Sequence, residues 1–295
     1  MICLADEASQ LLHFFYKFHI VLTESFTYAV CMGKLKAAAL CAWGFGTTGI
    51  YTLAAFVPII LLAPFSRTGR APYTIGKIWS QLIFWTNRVK LETAGVENIH
   101  TNRSYVFMAN HVSHLDPPAV ALAIPNTLRF IGKLSLSRIP VFGPAARRAG
   151  VIFIDRGDAE KSHAELNRSI TVLKEGVSTL FFAEGTRSLD GQLLPFKKGG
   201  VMLALQTGLP IVPVTVTGSY ALFPKKQLFI RPGTVHVEIG TPIEVAGFTP
   251  ADRDRLLMRI RAVIQENLDR YNQAQSCKPE ALAQRARSAS TPHLS

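Results

Sequence analysis

Between Ala37 and Ser66 the chain carries no Lys, Arg, Asp or Glu. Thirty uncharged residues in a row are too many for a buried core helix. As one helix they would reach about 45 Å, against a hydrocarbon core of about 30 Å, so the segment can cross a bilayer. Gly44, Gly46, Gly49 and Pro58 weaken a straight helix, and a bent or hairpin-like insertion is the competing reading. Cysteine is scarce too. Cys3, Cys31, Cys41 and Cys277 form no C-x-x-C pair, which excludes a dense disulfide framework and gives no zinc signature. Acidic residues are in deficit: 20 Asp and Glu stand against 32 Lys and Arg, a net +12 that calls for an anionic partner. Only 18% of residues are charged and 18 are Phe, which excludes global disorder. No helix-turn-helix, zinc or aromatic-basic ribonucleoprotein motif is present, so nucleic acid is not the expected anion. No internal repeat is visible.

The charge and the apolar residues separate along the chain. Residues 1–66 hold three Lys and three acids, whereas 67–295 hold 29 Lys and Arg against 17 Asp and Glu. The whole excess therefore lies after the apolar segment. Lys34 and Lys36 flank that segment on one side, Arg67, Arg70 and Lys77 on the other, which favours a cytoplasmic position for the residues C-terminal to it. The apolar stretch is longer than a signal-peptide core and begins well inside the chain, so an uncleaved anchor is expected. Residues 1–31 read as an interfacial helix, or else as sequence preceding a start at Met32. Three regions result: a membrane-anchoring region at 1–66, a domain at 67–273 and a flexible tail at 274–295.

That domain alternates strand and helix. Ser104–Ala109, Leu128–Ile131, Val151–Ile154, Thr179–Phe182, Ile211–Val216 and Val235–Ile239 are short apolar runs that read as strands. Helices are expected after Pro117-Pro118 with Asp116 as N-cap, over Asp158–Lys174, and from Thr249-Pro250 onward. In the last, Leu256, Leu257, Ile260, Val263, Ile264 and Leu268 share one face. The expectation is an α/β fold: a central mixed sheet flanked by helices, behind an apolar anchoring helix.

Two clusters carry chemistry. Asn110-His111-Val112-Ser113-His114-Leu115-Asp116 lies between a strand and a helix, where open α/β folds place catalytic groups. On a continuous helix His111 and Asp116 would point about 140° apart. If the loop turns first, the carboxylate can fold back onto the imidazole, fix its tautomer and stabilise the imidazolium. That pairing can deprotonate a hydroxyl. A capping Asp beside a hydrogen-bonded His is the plainer alternative. The H-x-x-H-x-D spacing fits no familiar metal site, and no G-x-S-x-G elbow offers a nucleophile. The second cluster, Phe182-Ala183-Glu184-Gly185-Thr186-Arg187, comes directly after a strand and suits a phosphate. Lys133 and Arg156 end two further strands and add cations on the same edge.

His111-x-x-x-x-Asp116, Phe153-Ile154-Asp155-Arg156, Phe182-Ala183-Glu184-Gly185-Thr186-Arg187 and Leu209-Pro210-Ile211-Val212-Pro213-Val214 resemble, in order, the four blocks of the glycerolipid acyltransferase family, and within it the 1-acylglycerol-3-phosphate acyltransferases. The resemblance spans about residues 85–245. It implies transfer of an acyl chain from acyl-CoA or acyl carrier protein to the 2-hydroxyl of lysophosphatidate, with no cofactor. It implies His111 as general base and Asp116 as its orienting partner. Arg156, Gly185, Thr186 and Arg187 are implied to hold the phosphorylated acceptor. Glu184 is implied to orient acceptor or Arg, and Lys133 to be a further basic residue between the first two blocks. The fourth block, around Pro213, is implied to be structural or to line the acyl chain. Ala183 stands where the family's third block usually has proline. Membrane lipids are the expected surroundings. Glycerol-3-phosphate, another lysophospholipid or a lyso-aminolipid are alternative acceptors, and a non-catalytic lipid-binding protein is the alternative class.

Overall fold

The computed structural model describes residues 33–66, 69–155, 173 and 177–289. The apolar segment forms one helix, α1 (Lys34–Leu62), ending in a 3-10 turn over Ala63–Phe65. It runs through Gly44, Gly46, Gly49 and Pro58 without a break, so the hairpin reading gives way to a single helix. Pro58 removes only one backbone donor, and an apolar setting offers the others no partner outside the helix. Ala38–Phe65 is 28 residues long, apolar enough to cross a membrane, and almost entirely unburied. Helix α2 (Arg70–Thr86) folds back along α1. Tyr51 Oη lies 2.7 Å from Thr86 Oγ1, and Trp79 Nε1 donates to Thr52 Oγ1 at 3.1 Å. Trp43, Ile50, Leu53, Val57 and Leu61 recur every three, four or seven residues and form an exposed stripe on α1.

Seven strands make one mixed sheet in the order β1-β7-β6-β2-β5-β3-β4. They are β1 (Val89–Ala94), β2 (Val106–Ala109), β3 (Leu128–Lys133), β4 (Ile152–Ile154), β5 (Ser178–Phe182), β6 (Ile211–Thr217) and β7 (Gly233–Ile239). β6, β2, β5, β3 and β4 are mutually parallel; β7 runs antiparallel to β6 and pairs in parallel with β1. Every residue of β2 and β6 is buried, the expected pattern for parallel strands covered on both faces. Alternation sends Phe107 and Ala109 into a cluster with Tyr73, Phe84, Leu115 and Val120, under α2 and α3 (Asp116–Ala123). Val106 and Met108 point the other way, toward Val201, Leu203, Leu256, Ile260 and Ile264 on α5 (Gly199–Thr207) and α7 (Arg253–Ala289). Helix α4 (Phe142–Arg148) joins β3 to β4, and the short α6 (Ser219–Leu222) joins β6 to β7.

All six expected strands are present, whereas β1, α2, α4, α5 and α6 go beyond the sequence expectation. Asp116 does not cap α3; it is the helix's first residue, and its side chain turns back onto the loop before it. The segment expected to be a flexible tail, 274–295, is helical as far as Ala289, in keeping with its Ala, Gln, Leu and Arg content. The helix expected over Asp158–Lys174 and the interfacial helix over 1–31 lie outside the described residues, save Leu173, which is helical and buried.

Candidate active site

Ala109, the last residue of β2, pairs with Phe182 on β5 at one side and Val214 on β6 at the other. The first and third motif clusters therefore leave the sheet at the same height, from neighbouring strands and on the same edge. Asn110 extends the β2–β6 ladder with its side chain: Nδ2 donates to Val216 O at 2.9 Å, and Val216 N donates to Oδ1 at 2.7 Å. The backbone beyond Asn110 is thus free to turn.

The turn brings His111 and Asp116 together. His111 Nδ1 lies 2.8 Å from Asp116 Oδ2, with the carboxylate fully buried and 15% of the imidazole side chain exposed. The same oxygen accepts the backbone N–H groups of Val112 and Ser113, at 2.7 and 2.8 Å. Asp116 Oδ1 accepts the Ser219 hydroxyl at 2.6 Å. A buried carboxylate is costly unless its oxygens are occupied by donors, and here both are. The Phe182 ring stacks on the imidazole at 4.0 Å between centroids. With Nδ1 engaged, Nε2 is the nitrogen left to accept a proton.

The third cluster holds the backbone of His111. Glu184 is buried; Oε1 accepts His111 N at 2.7 Å and Oε2 accepts Leu194 N at 2.9 Å. Burial, then the nearby Asp116 charge, push Glu184 up to about 7, against the pull of its two N–H donors and Arg261. Ser188 N donates to His111 O at 3.1 Å, so both backbone groups of His111 are tied to this segment. Gly185 has φ +71 and closes a tight turn through a 2.9 Å bond from its N–H to Phe182 O. The left-handed backbone makes glycine the natural occupant. Thr186 is exposed. Arg187 is half-buried and interacts electrostatically with Asp116, and its buried Nη1 has no hydrogen-bond partner among the described residues. An orphaned donor on a cation suits an anionic oxygen. His114 leans on Phe223; its partial burial, then the charge of Arg187, lower its pKa.

Lys133 is the exposed last residue of β3, which borders β5 on the side away from β2. The structure thus brings His111, Asp116, Glu184, Gly185, Thr186 and Arg187 together and sets Lys133 on the same edge. Arg156, two residues beyond the end of β4, lies outside the described residues. Pro213 is buried in the middle of β6. Asn110 and Phe182 stand inside the two sequence clusters but carry no role there, and Ser219 escaped the sequence reading because nothing near it marks it as part of a site.

A family model described as Acyltransferase matches residues 90–217. A 1-acyl-sn-glycerol-3-phosphate acyltransferase of Limnanthes alba is 31% identical over 251 residues, covering 84% of each chain. One from Borreliella burgdorferi is 30% identical over 64% of this chain and 76% of its own. The crystal structure of the 1-acyl-sn-glycerophosphate acyltransferase PlsC of Thermotoga maritima superposes with a TM-score of 0.68 at 27% identity, over 81% of this chain and 97% of that one.

Proposed function

This chain belongs to the acyltransferase family, and on that premise we propose that it acylates the free 2-hydroxyl of 1-acylglycerol 3-phosphate, giving phosphatidate. One observation carries the reading: an imidazole paired to a buried carboxylate stands in the same site as a guanidinium whose buried Nη1 is unpartnered among the described residues. A base for a hydroxyl and a cation for a phosphate are the two groups this acceptor needs.

The chemistry of the groups dictates the steps. Arg187, with Lys133 and Arg156, binds the acceptor phosphate and sets the 2-hydroxyl toward His111. His111 Nε2 takes the hydroxyl proton as the oxygen attacks the thioester carbonyl of acyl-CoA or acyl carrier protein. Asp116 holds the imidazolium that forms. The tetrahedral intermediate collapses, the C–S bond breaks, and the departing sulfur recovers the proton from His111. An ester and a thiol result, with no covalent enzyme intermediate and no cofactor. Acceptor and product are membrane lipids, which α1 would keep close at hand, and the flanking cations favour a catalytic domain on the cytoplasmic side.

The test is a panel of acceptors and donors with the purified protein, read by product mass. The acceptors are lysophosphatidate, glycerol-3-phosphate, other lysophospholipids and a lyso-aminolipid; the donors are acyl-CoA and acyl carrier protein. Phosphatidate should form from lysophosphatidate. Turnover of another acceptor with none of lysophosphatidate would overturn the proposal.

A further inference from the structure

Asp116 Oδ2 is held by three donors, but Oδ1 has only the Ser219 hydroxyl among the described residues. We propose that Ser219 is a positioning residue of the catalytic pair: its hydroxyl fixes the plane of the Asp116 carboxylate so that Oδ2 faces His111 Nδ1. The inference rests on the reading of His111 as base.

The fold delivers this hydroxyl from 103 residues downstream. β6 runs parallel to β2, so its end lies on the edge that carries His111. Gly218, with φ +80, then turns the chain at once; a Cβ there would lie 2.3 Å from Thr234 O, so only glycine fits. The next residue is Ser219, fully buried at the start of α6. Neighbouring bonds fix the same segment to the site. Ser113 Oγ donates to Phe223 O at 2.7 Å, Tyr220 Oη to Leu189 O at 2.8 Å, and Lys225 Nζ to Arg187 O at 3.4 Å. Because Ser219 is buried and its hydroxyl donates to Asp116, it cannot reach substrate or serve as a nucleophile. Among the described residues, the charged or titratable groups around Asp116 are His111, His114, Glu184 and Arg187; none occupies Oδ1. Without the hydroxyl, a buried carboxylate oxygen lacks a donor and the carboxylate turns to find one.

Ser219→Ala and Ser219→Thr decide the matter, each checked for an unchanged melting temperature to within a few degrees. Ser219→Ala should lower kcat by about 10-fold or more, the scale of a lost hydrogen bond to a charged group, with the acceptor and donor KM within about two-fold of wild type. Ser219→Thr keeps the hydroxyl and should restore most of kcat. A second readout needs no turnover: the downfield proton resonance of His111 Nδ1–H should move upfield in Ser219→Ala and stay in Ser219→Thr. Unchanged kcat with an unmoved resonance would overturn the role of Ser219 while leaving the acyl-transfer reading intact. A KM rise matching the kcat loss would also overturn it. If the wild-type protein transferred no acyl chain at all, the functional reading would fall, and the resonance would still decide whether Ser219 fixes the pair.

Discussion

Two buried carboxylates define the site at the scale of single residues, and each is stabilised by backbone N–H donors. Asp116 bonds the His111 imidazole with its side chain; Glu184 bonds the His111 main chain, by accepting its N–H. Glu184 has a measurable consequence. Its folded pKa of about 7 lies above the ordinary 4.5, so the folded protein holds this proton more tightly than the unfolded chain. The resulting stability is fully present below pH 4.5 and is lost as pH rises through about 7. Melting temperature should therefore fall between pH 5 and 8 by more in wild type than in Glu184→Gln, whose neutral side chain removes that slope even though it costs stability at every pH. Parallel curves for the two proteins would count against a protonatable Glu184.

At the scale of elements, the ends of β2 and β5 matter most. Ala183 N donates to Ala109 O at 2.8 Å, one more ladder bond just beyond the end of β5. The family's usual proline at this position could not make that bond. Ala183→Pro should cost about 1 kcal/mol, seen as a melting temperature lower by about 2–4 °C, with transfer kept within a few-fold. An unchanged melting temperature, or loss of transfer, would contradict that account. Elements also show what the sequence could reveal. β2, β5 and β6 are short uninterrupted apolar runs, and they appear where the runs stand. β1 alternates Val, Leu and Thr with Lys and Glu, and only its pairing with β7 makes it a strand. The His111–Asp116 pairing was legible as one of two options, since Asp before Pro-Pro reads equally well as a cap. The turn that decides between them depends on Asn110 and Glu184, whose partners lie 106 and 73 residues away. Ser219 was beyond reach for the same reason: its partner is distant and its own surroundings are ordinary.

Over the whole molecule, the absence of charge between Ala37 and Ser66 and the excess of cations after it divide the labour. α1 offers a membrane-spanning length of apolar surface, and the basic domain folds against α2 beside it. The enzyme, its acceptor and its product would then share one bilayer. Whether His111 deprotonates a lipid hydroxyl inside this arrangement can be measured on vesicles containing lysophosphatidate. Wild type and His111→Ala would each be supplied with the acyl donor, and phosphatidate formation measured by mass. His111→Ala should bind the vesicles as wild type does while its rate of product formation falls by about 10² or more, the contribution expected of a general base. Undiminished phosphatidate formation by His111→Ala would rule out His111 as that base.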